Sequence, residues 1–407
     1  MTDPSPFDPF KDSLGTSGMP PPPPVDPAVG QRGTPSQPLP AATADPPLPA
    51  SAAVPVELHP VADTPPLFLA EPISSGTHAP GGSSHPMPTH RPVDIHQLFT
   101  RITHELRKLY VGQEELVLGT LVALFSGGHV LIESVPGLGK TIFVRALGQV
   151  LGCKFGRIQF TADLMPSDIT GSPIFDMKTQ EFRFRPGPVF TQLLLCDEIN
   201  RAPAKTHAAL LEIMQEYRVT VERVSYRLER PFLVLATQNP IESEGTYNLP
   251  EAQLDRFMFK IVADYPAEHE EAEILRLHST QLDLDSRLAQ LATVTGPDEI
   301  LAATQQCGQV YIDDKLLHYV NTLVRRTRQW PQFHVGASPR AGLAMLQGAR
   351  TLAAFMGREY AVPDDVVQVA LPALRHRVIL TAEAEVEGRH VDEILRELIR
   401  SVEVPRL

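Results

Sequence analysis

Short apolar runs alternate with segments of helical periodicity through the middle of the chain. Each run is short enough to form one buried strand. The runs are HVLIE (129–133), GRIQFT (156–161), QLLLCDE (192–198), FLVLATQ (232–238) and FMFKIV (257–262). Strands of this kind separated by helices are typical of a parallel sheet that is covered on both faces. The pattern therefore predicts a doubly wound α/β domain.

The pattern changes after YPAEHEE, where the strand runs stop and helical periodicity continues to the end of the chain. The last segment, VDEILRELIRSV, repeats its apolar residues on one face of a helix. We expect an all-helical second domain. The predicted domains are the α/β domain at 93–266 and the helical domain at 267–407.

Two segments inside the α/β domain are predicted to be β-hairpins. In SPIFDMKTQEFRFRPG (172–187), Phe182 and Phe184 alternate with arginines. The second segment, YRVTVERVSYRLERP (217–231), carries β-branched residues on its first arm. Its turn at VERVS lacks the Asn-Gly or Asp-Gly pair that favours a tight hairpin.

Residues 1–92 differ from the rest of the chain in composition. They hold 24 of the 40 prolines, and residues 1–90 carry eight acidic side chains against Lys11 and Arg32. Their only aromatic residues are three phenylalanines, which is too little apolar surface to offset the entropy of ordering. We predict a disordered Pro-rich tail. Its PPPPP run is either a polyproline II spacer or a ligand for an SH3-like groove.

Charge, cysteines and hydropathy narrow the class of protein. The net charge of −12 gives no support for a basic face that binds nucleic acid. The three cysteines form no CxxC pair, and the histidines show no HxxxH or HExxH metal spacing. The N-terminus lacks the apolar stretch of a signal peptide, and no window is long and apolar enough to span a bilayer. We expect a cytoplasmic protein that does not insert into membranes.

The segment ESVPGLGKT follows the first strand run and nearly matches the phosphate-binding loop GxxxxGK[ST], with Ser134 at its first position. Gly137 and Gly139 allow backbone N–H groups to converge on phosphate oxygens, and the following helix adds its positive end. Lys140 is expected to reach the outer phosphates, and the Thr141 hydroxyl to bind Mg²⁺. Because Ser134 begins the turn and does not wrap the phosphates, we expect the nucleotide site to tolerate it.

Two further strand ends carry polar residues suited to hydrolysis. Asp197 and Glu198 end the third run at the carboxyl edge of the sheet, where ligands of α/β domains collect. Asp197 would bind Mg²⁺ through water and Glu198 would act as general base; the alternative is a pair of solvated carboxylates. Asn239 follows the fourth run and either orients the attacking water or forms a turn with the next proline. Cys196 is expected to be a small buried hydrophobe.

With these motifs the chain resembles the AAA+ ATPases and, among them, the MoxR family. The resemblance covers about residue 93 to the end. It rests on VGQEELV, ESVPGLGKT, LLLCDEINRAPAKTHAALLEIMQEYRVTV, LATQNPIESEGTYNLPEAQLDRF and GASPRA. It implies a P-loop AAA+ domain with two hairpin insertions on the substrate-contacting face, followed by a helical lid domain. The Pro-rich tail falls outside the family pattern.

The resemblance also implies ATP and Mg²⁺ as cofactors and assigns the site residues. The residues that would contact the nucleotide are Val111, Gly112, Gln113, Val135, Pro136, Gly137, Leu138, Gly139, Lys140, Thr141 and Asp197, with Thr141 and Asp197 also serving the metal. The four catalytic residues would be Glu198 as base, Asn239 as first sensor, Arg256 as the arginine finger and Arg340 as second sensor. Ser338 and Pro339 support the last role, because an N-cap followed by proline starts a helix with Arg340 in its first turn. An ordinary ion pair with Asp255 or another nearby carboxylate is the alternative for Arg256.

An arginine finger that acts on the neighbouring subunit implies a ring, so the resemblance predicts a homo-hexamer. Its expected function is ATP-driven, chaperone-like remodelling or activation of a protein partner, with a von Willebrand factor A domain protein or a metalloenzyme complex as candidates. Two alternatives remain: a nucleotide-dependent switch or scaffold with little turnover, and a nucleic-acid motor. The acidic balance weighs against the motor, and the basic clusters RRTRQW (325–330) and RHR (375–377) are expected to form solvated helix faces or to contact nucleotide or a neighbour.

Overall fold

The computed structural model describes residues 92–239, 247, 249–279 and 283–406. The predicted tail, apart from its last residue, lies outside the described residues. The strands of the α/β part are β1 (Val130–Ser134), β2 (Phe155–Gln159), β3 (Gly171–Asp176), β4 (Glu181–Pro186), β5 (Leu193–Asp197), β6 (Arg218–Val221), β7 (Val224–Arg227), β8 (Leu233–Gln238) and β9 (Phe259–Ala263). All five predicted strand runs therefore form strands, and both predicted hairpins are present.

Five of these strands form one parallel sheet in the order β2-β5-β8-β1-β9. Because neighbouring strands of this sheet are parallel, each connection between them must cross over a face of the sheet. The helices of this part of the chain are α1 (Ile95–Arg107), α2 (Glu114–Phe125), α3 (Lys140–Leu151), α4 (Pro166–Thr170), α5 (Ala204–Glu216) and α6 (Glu251–Leu254). The first two precede β1, and α2 and α3 pack directly against strands of the sheet. The predicted α/β class is confirmed.

Alternate residues of the central strands enter two separate apolar cores. Leu193 and Leu195 of β5 pack into one core, whereas Leu194 and Cys196 pack into the other. This alternation follows from the two-residue repeat of a strand, and it explains why these runs are apolar throughout. Cys196 is fully buried, as expected, and burial raises the pKa of its thiol well above the usual range.

The first core continues from the sheet into the C-terminal helices. These are α7 (Glu268–Ser279), α8 (Leu284–Ala289), α9 (Pro297–Gly308), α10 (Asp314–Thr327), α11 (Pro339–Phe355), α12 (Pro363–Leu374), α13 (Ala382–Val386) and α14 (Val391–Ser401). This part is not wholly helical, because β10 (Phe333–Val335) and β11 (Ile379–Leu380) form a short antiparallel ribbon. Both strands are too short for the periodicity of their side chains to predict them. None of the helices in the described part of the chain is both long and apolar enough to cross a membrane.

The two hairpins, β3–β4 and β6–β7, contact each other through an aromatic pair. The rings of Phe184 and Tyr226 are stacked with their centroids 4.2 Å apart. The second hairpin turns at Glu222 and Arg223, which have φ angles of 49° and 72°. A two-residue turn with positive φ at both positions has the twist that a hairpin requires, so the hairpin forms without the Asn-Gly or Asp-Gly pair.

Candidate active site

The phosphate loop lies between β1 and α3, at the carboxyl edge of the sheet. Ser134 is the last residue of β1 and is buried. Gly137 and Gly139 have φ angles of 89° and 70°, which glycine adopts without strain. A side chain built on Gly137 would meet no atom within 4 Å, so the outer side of the loop is open. Helix α3 begins at Lys140 and directs its first N–H groups toward this space.

Ser134 holds the lysine of the loop. The Lys140 ammonium donates to Ser134 Oγ at 2.7 Å and to the Val135 carbonyl at 3.4 Å. Burial lowers the pKa of Lys140, while the charges of Asp197 and Glu198 act in the opposite direction. The departure from the usual first glycine thus adds a hydroxyl acceptor for Lys140.

The segment Val111–Gln113 is joined to the phosphate loop through Tyr110. The Tyr110 ring packs on Phe143 of α3 with centroids 4.9 Å apart, and its hydroxyl donates to the Leu138 carbonyl at 3.4 Å. Gly112 and Gln113 both have positive φ angles, and the Gln113 side chain donates to the Asp264 carbonyl at 2.5 Å. This segment, which is predicted to contact the nucleotide, is therefore next to the predicted phosphate-binding loop.

Thr237, on β8, binds both acidic residues at the end of β5. Its hydroxyl donates to Asp197 Oδ1 at 3.1 Å and accepts from the Glu198 backbone N–H at 2.9 Å. Thr237 and Asp197 are buried, whereas the Glu198 side chain is partly exposed. The Glu198 backbone has a φ of 55°, which turns the chain sharply after the strand.

Three polar residues that the sequence analysis did not select hold the two carboxylates. Arg157 Nε donates to Asp197 Oδ2 at 2.7 Å. Glu198 Oε2 accepts from Gln159 Nε2 at 2.9 Å and pairs with Arg201 Nε at the same distance. The strand register places Gln159, the last residue of β2, beside Asp197, but within the predicted run GRIQFT no signal distinguished it.

Asn239 follows β8 directly and is half-buried. In the register of β1 and β8, Glu133 lies beside Gln238, so Asn239 is level with Ser134. The structure thus brings the polar ends of three neighbouring strands together, as the sequence analysis expected.

Among the described residues, no ion pair or hydrogen bond joins the guanidinium of Arg256 or Arg340 to Asp197 or Glu198. Ser338 caps α11 by accepting from the Arg340 N–H at 3.2 Å, and Pro339 is its first residue, as predicted. The Arg340 guanidinium lies 3.5 Å from Asp255 Oδ2.

The Asp255 carboxylate does not pair with Arg256. It binds Arg377 Nε at 2.7 Å and accepts from Ser338 Oγ at 3.0 Å. Arg256 is half-buried, and within the described residues no carboxylate pairs with its guanidinium. The ion pair that the sequence analysis held as the alternative to a finger is therefore absent from this part of the chain.

The prediction for the RHR cluster is wrong. The cluster was expected to form a solvated helix face or to contact nucleotide or a neighbour. Its three residues, Arg375, His376 and Arg377, are all buried. His376 Nε2 bonds to the Phe257 carbonyl at 3.0 Å, and Arg377 donates to the same carbonyl at 2.6 Å. The error arose because charge alone does not distinguish an exposed arginine from one that is buried against backbone carbonyls. In the other cluster Arg325 and Arg326 are exposed, as expected.

The donor set at the loop suits the expected cofactors. Thr141 and Asp197 carry the hard oxygen atoms that Mg²⁺ prefers and would hold the ion, and the space beside Gly137 is open. Within the described residues no three His, Cys, Asp or Glu side chains gather into a metal-binding group. His129, His207 and His376 are buried and bond to backbone carbonyls.

Comparisons with known proteins agree with this geometry. Residues 129–259 match the family described as "ATPase family associated with various cellular activities (AAA)", and residues 325–398 match the AAA lid domain. A crystal structure of a provisionally named ATPase from Cytophaga hutchinsonii superposes with a TM-score of 0.71. It is 38% identical in sequence, and the match covers 77% of this chain and 96% of that one.

Similar sequences extend over most of the chain. The uncharacterized protein YeaC of Bacillus subtilis is 42% identical over 312 residues, which is 77% of this chain and 96% of YeaC. Chaperone MoxR1 of Mycobacterium tuberculosis is 39% identical over 355 residues, covering 82% of this chain and 91% of MoxR1. Protein MoxR of Paracoccus denitrificans is 32% identical, covering 72% and 91%. The chain belongs to the MoxR family of AAA+ ATPases.

Proposed function

We propose that the protein hydrolyses ATP and uses the resulting motion of its helical lid to remodel a protein client. The observation that carries this proposal is the joint placement of Lys140, Asp197 and Glu198 at one edge of the sheet. The charges of both acids act on the Lys140 pKa, and Thr237 holds both acids in position. A lysine for phosphate, a metal ligand and a base are the parts that phosphoryl transfer to water requires.

Each residue has a defined task in this proposal. The N–H groups of the loop and Lys140 bind the phosphates, and Thr141 and Asp197 hold Mg²⁺, which would supply charge neutralisation at the phosphates. Glu198 accepts the proton of the attacking water, and Asn239 orients that water. Arg256 approaches the nucleotide of the neighbouring subunit, where an arginine finger contributes about 10³–10⁵ in rate in related phosphoryl transfers. Arg340 reports closure of the lid on its own nucleotide.

We propose that the finger acts within a homo-hexameric ring, and that each subunit consists of an α/β domain at 93–266 and a helical lid at 267–407. The name of the chaperone relative supports a protein client. We propose a von Willebrand factor A domain protein or a metalloenzyme complex as the client and the cytoplasm as the location.

One observation favours a second function, a nucleotide-dependent switch with little turnover. Gln159 and Arg201 both bind Glu198 Oε2, so they hold the carboxylate in place and lower its readiness to take a proton on that oxygen. A switch keeps the carboxylate in this arrangement when ATP binds, whereas a motor directs it to the attacking water in each cycle.

ATP turnover by the purified protein with Mg²⁺, measured beside Glu198→Gln and Arg256→Ala, tests the proposal. A motor loses turnover in both variants and still binds ATP, while size-exclusion mass reports the ring in each nucleotide state. Wild-type protein that binds ATP, stays monomeric and releases no phosphate with or without candidate clients would exclude the motor and leave the switch.

A further inference from the structure

Asp255 is bound by residues on both sides of the α11 start and by the end of α12. Ser338 Oγ donates to Asp255 Oδ1 and Oδ2 at 3.0 and 3.1 Å. Arg377 Nε donates to Oδ1 at 2.7 Å, and Arg340 lies 3.5 Å from Oδ2. One carboxylate of the α/β part thus contacts three residues of the lid, among them the proposed second sensor.

The lid also holds the backbone on both sides of Arg256. Arg377 donates to the carbonyls of Asp255 at 3.1 Å, Phe257 at 2.6 Å and Met258 at 3.1 Å. His376 bonds to the Phe257 carbonyl as well. The position of the Arg256 backbone is therefore set by contacts that the lid of the same subunit makes with its neighbours in sequence.

These contacts differ in strength. The Arg377 side chain is 3% exposed, and removing one partner of a buried pair of this kind is costly, so this contact is permanent. The Arg340 side chain is 53% exposed and its contact is long, so it exchanges readily with another anion. The Ser338 contact is intermediate in strength, because the same hydroxyl caps α11 and binds Asp255.

We propose that Asp255 is a positioning residue that couples the start of α11 to Arg256. When Arg340 turns toward the phosphates of its own nucleotide, Asp255 loses that partner, and the carboxylate readjusts on Ser338 and Arg377. The loop that carries Arg256 moves with the carboxylate. The nucleotide state of one subunit therefore determines the position of the Arg256 side chain that acts on the neighbouring subunit. This inference rests on the roles proposed above for Arg256 and Arg340.

Mixed rings separate this role from a purely structural one. A subunit with Glu198→Gln hydrolyses nothing itself but keeps an intact Asp255 and Arg256. An Asp255→Asn subunit keeps its own Glu198 and fails, in our proposal, only as a donor of the finger. Rings of Asp255→Asn alone should turn over ATP at least tenfold more slowly than wild type. Mixing with an excess of Glu198→Gln subunits should restore most of the turnover for each Asp255→Asn subunit.

Ser338→Gly is the second variant, because glycine is tolerated at an N-cap and the change removes the Ser338 bond while leaving the Arg377 pair intact. It should show the same defect and the same rescue, and it decides the question if Asp255→Asn does not fold. For both variants, binding of a fluorescent ADP to the isolated subunit should stay within twofold of wild type.

The reference experiment mixes Arg256→Ala subunits with an excess of Glu198→Gln subunits, which should restore turnover if Arg256 acts on the neighbouring subunit. Absence of rescue in this mixture would contradict the finger in trans and remove this inference with it. Rescue of Arg256→Ala without rescue of the folded Asp255 or Ser338 variants would overturn this inference alone. Wild-type turnover by rings of both variants would overturn it as well.

Discussion

Thr237 donates a hydrogen bond from its buried hydroxyl to Asp197 Oδ1 at 3.1 Å, across the boundary between β8 and β5. The same oxygen accepts from the Glu198 N–H, so one side chain sets the position of the proposed metal ligand and of the proposed base. A bond to a charged group in a protected place contributes about 1.5–3 kcal/mol.

Replacing this hydroxyl should therefore reduce turnover without unfolding the protein. We expect Thr237→Val to lower kcat by roughly 10- to 100-fold, because the methyl group cannot donate to Asp197 or accept from Glu198. Thr237→Ser keeps the hydroxyl and should stay within about threefold of wild type. Steady-state ATP hydrolysis measures the effect, and equal rates for the two variants would contradict the positioning role.

The buried cluster RHR should matter far more for stability than the exposed cluster RRTRQW. Arg377→Met removes the buried charged partner of Asp255 and a donor to several backbone carbonyls, and we expect a loss of about 3–5 kcal/mol in the free energy of unfolding. Arg325→Gln, on the exposed face of α10, should change it by less than about 0.5 kcal/mol. Urea unfolding measures the free energy of unfolding of both variants. Similar losses in the two variants would contradict a stabilising role for the contacts of Arg377 with Asp255 and the backbone carbonyls.

His129 should make the protein less stable in mild acid. Its Nε2 bonds to the Met214 carbonyl and its Nδ1 accepts from the Val234 N–H, and burial lowers its pKa from 6.5 to about 4. The unfolded chain binds this proton more readily than the folded protein, so stability is complete above pH 6.5 and is lost as the pH falls toward 4. For His129 alone the loss between pH 7 and pH 5 is about 2 kcal/mol.

Urea unfolding at the two pH values tests the assignment to His129. His129→Gln should reduce the pH dependence, whereas His318→Gln, at an exposed position of α10, should leave it unchanged. An unaltered pH dependence in His129→Gln would assign the effect to other groups.

Two substitutions in the turn of the second hairpin should increase its stability. Glu222 and Arg223 both adopt left-handed backbone angles that Asn and Gly take at lower cost. We expect the pair Glu222→Asn and Arg223→Gly to stabilise β6–β7 by about 1 kcal/mol. Slower hydrogen exchange of the hairpin amides would report it. Lys178→Gly, at a position of the first hairpin without a positive φ, should give no such gain.

Much of this protein follows from its sequence alone. The apolar runs predicted the five parallel strands, most clearly the central strands β5 and β8, because a strand that is buried on both faces needs an unbroken series of apolar side chains. The loop ESVPGLGKT and the acidic pair after the third run were identified from short-range chemistry, since glycines, a lysine and strand-end carboxylates carry their function in the local sequence. The cap of α11 by Ser338 was predictable for the same reason.

Other features were decided only by the tertiary structure. Arg157, Gln159 and Arg201 bind the two acids from separate segments, and no pattern along the chain relates them. Arg377 and Asp255 are 122 residues apart, so their contact depends on how the lid packs against the sheet. A charged residue in a sequence carries no sign of whether it meets water or a backbone carbonyl; that is fixed when the first core joins the sheet to the lid and removes water from between them.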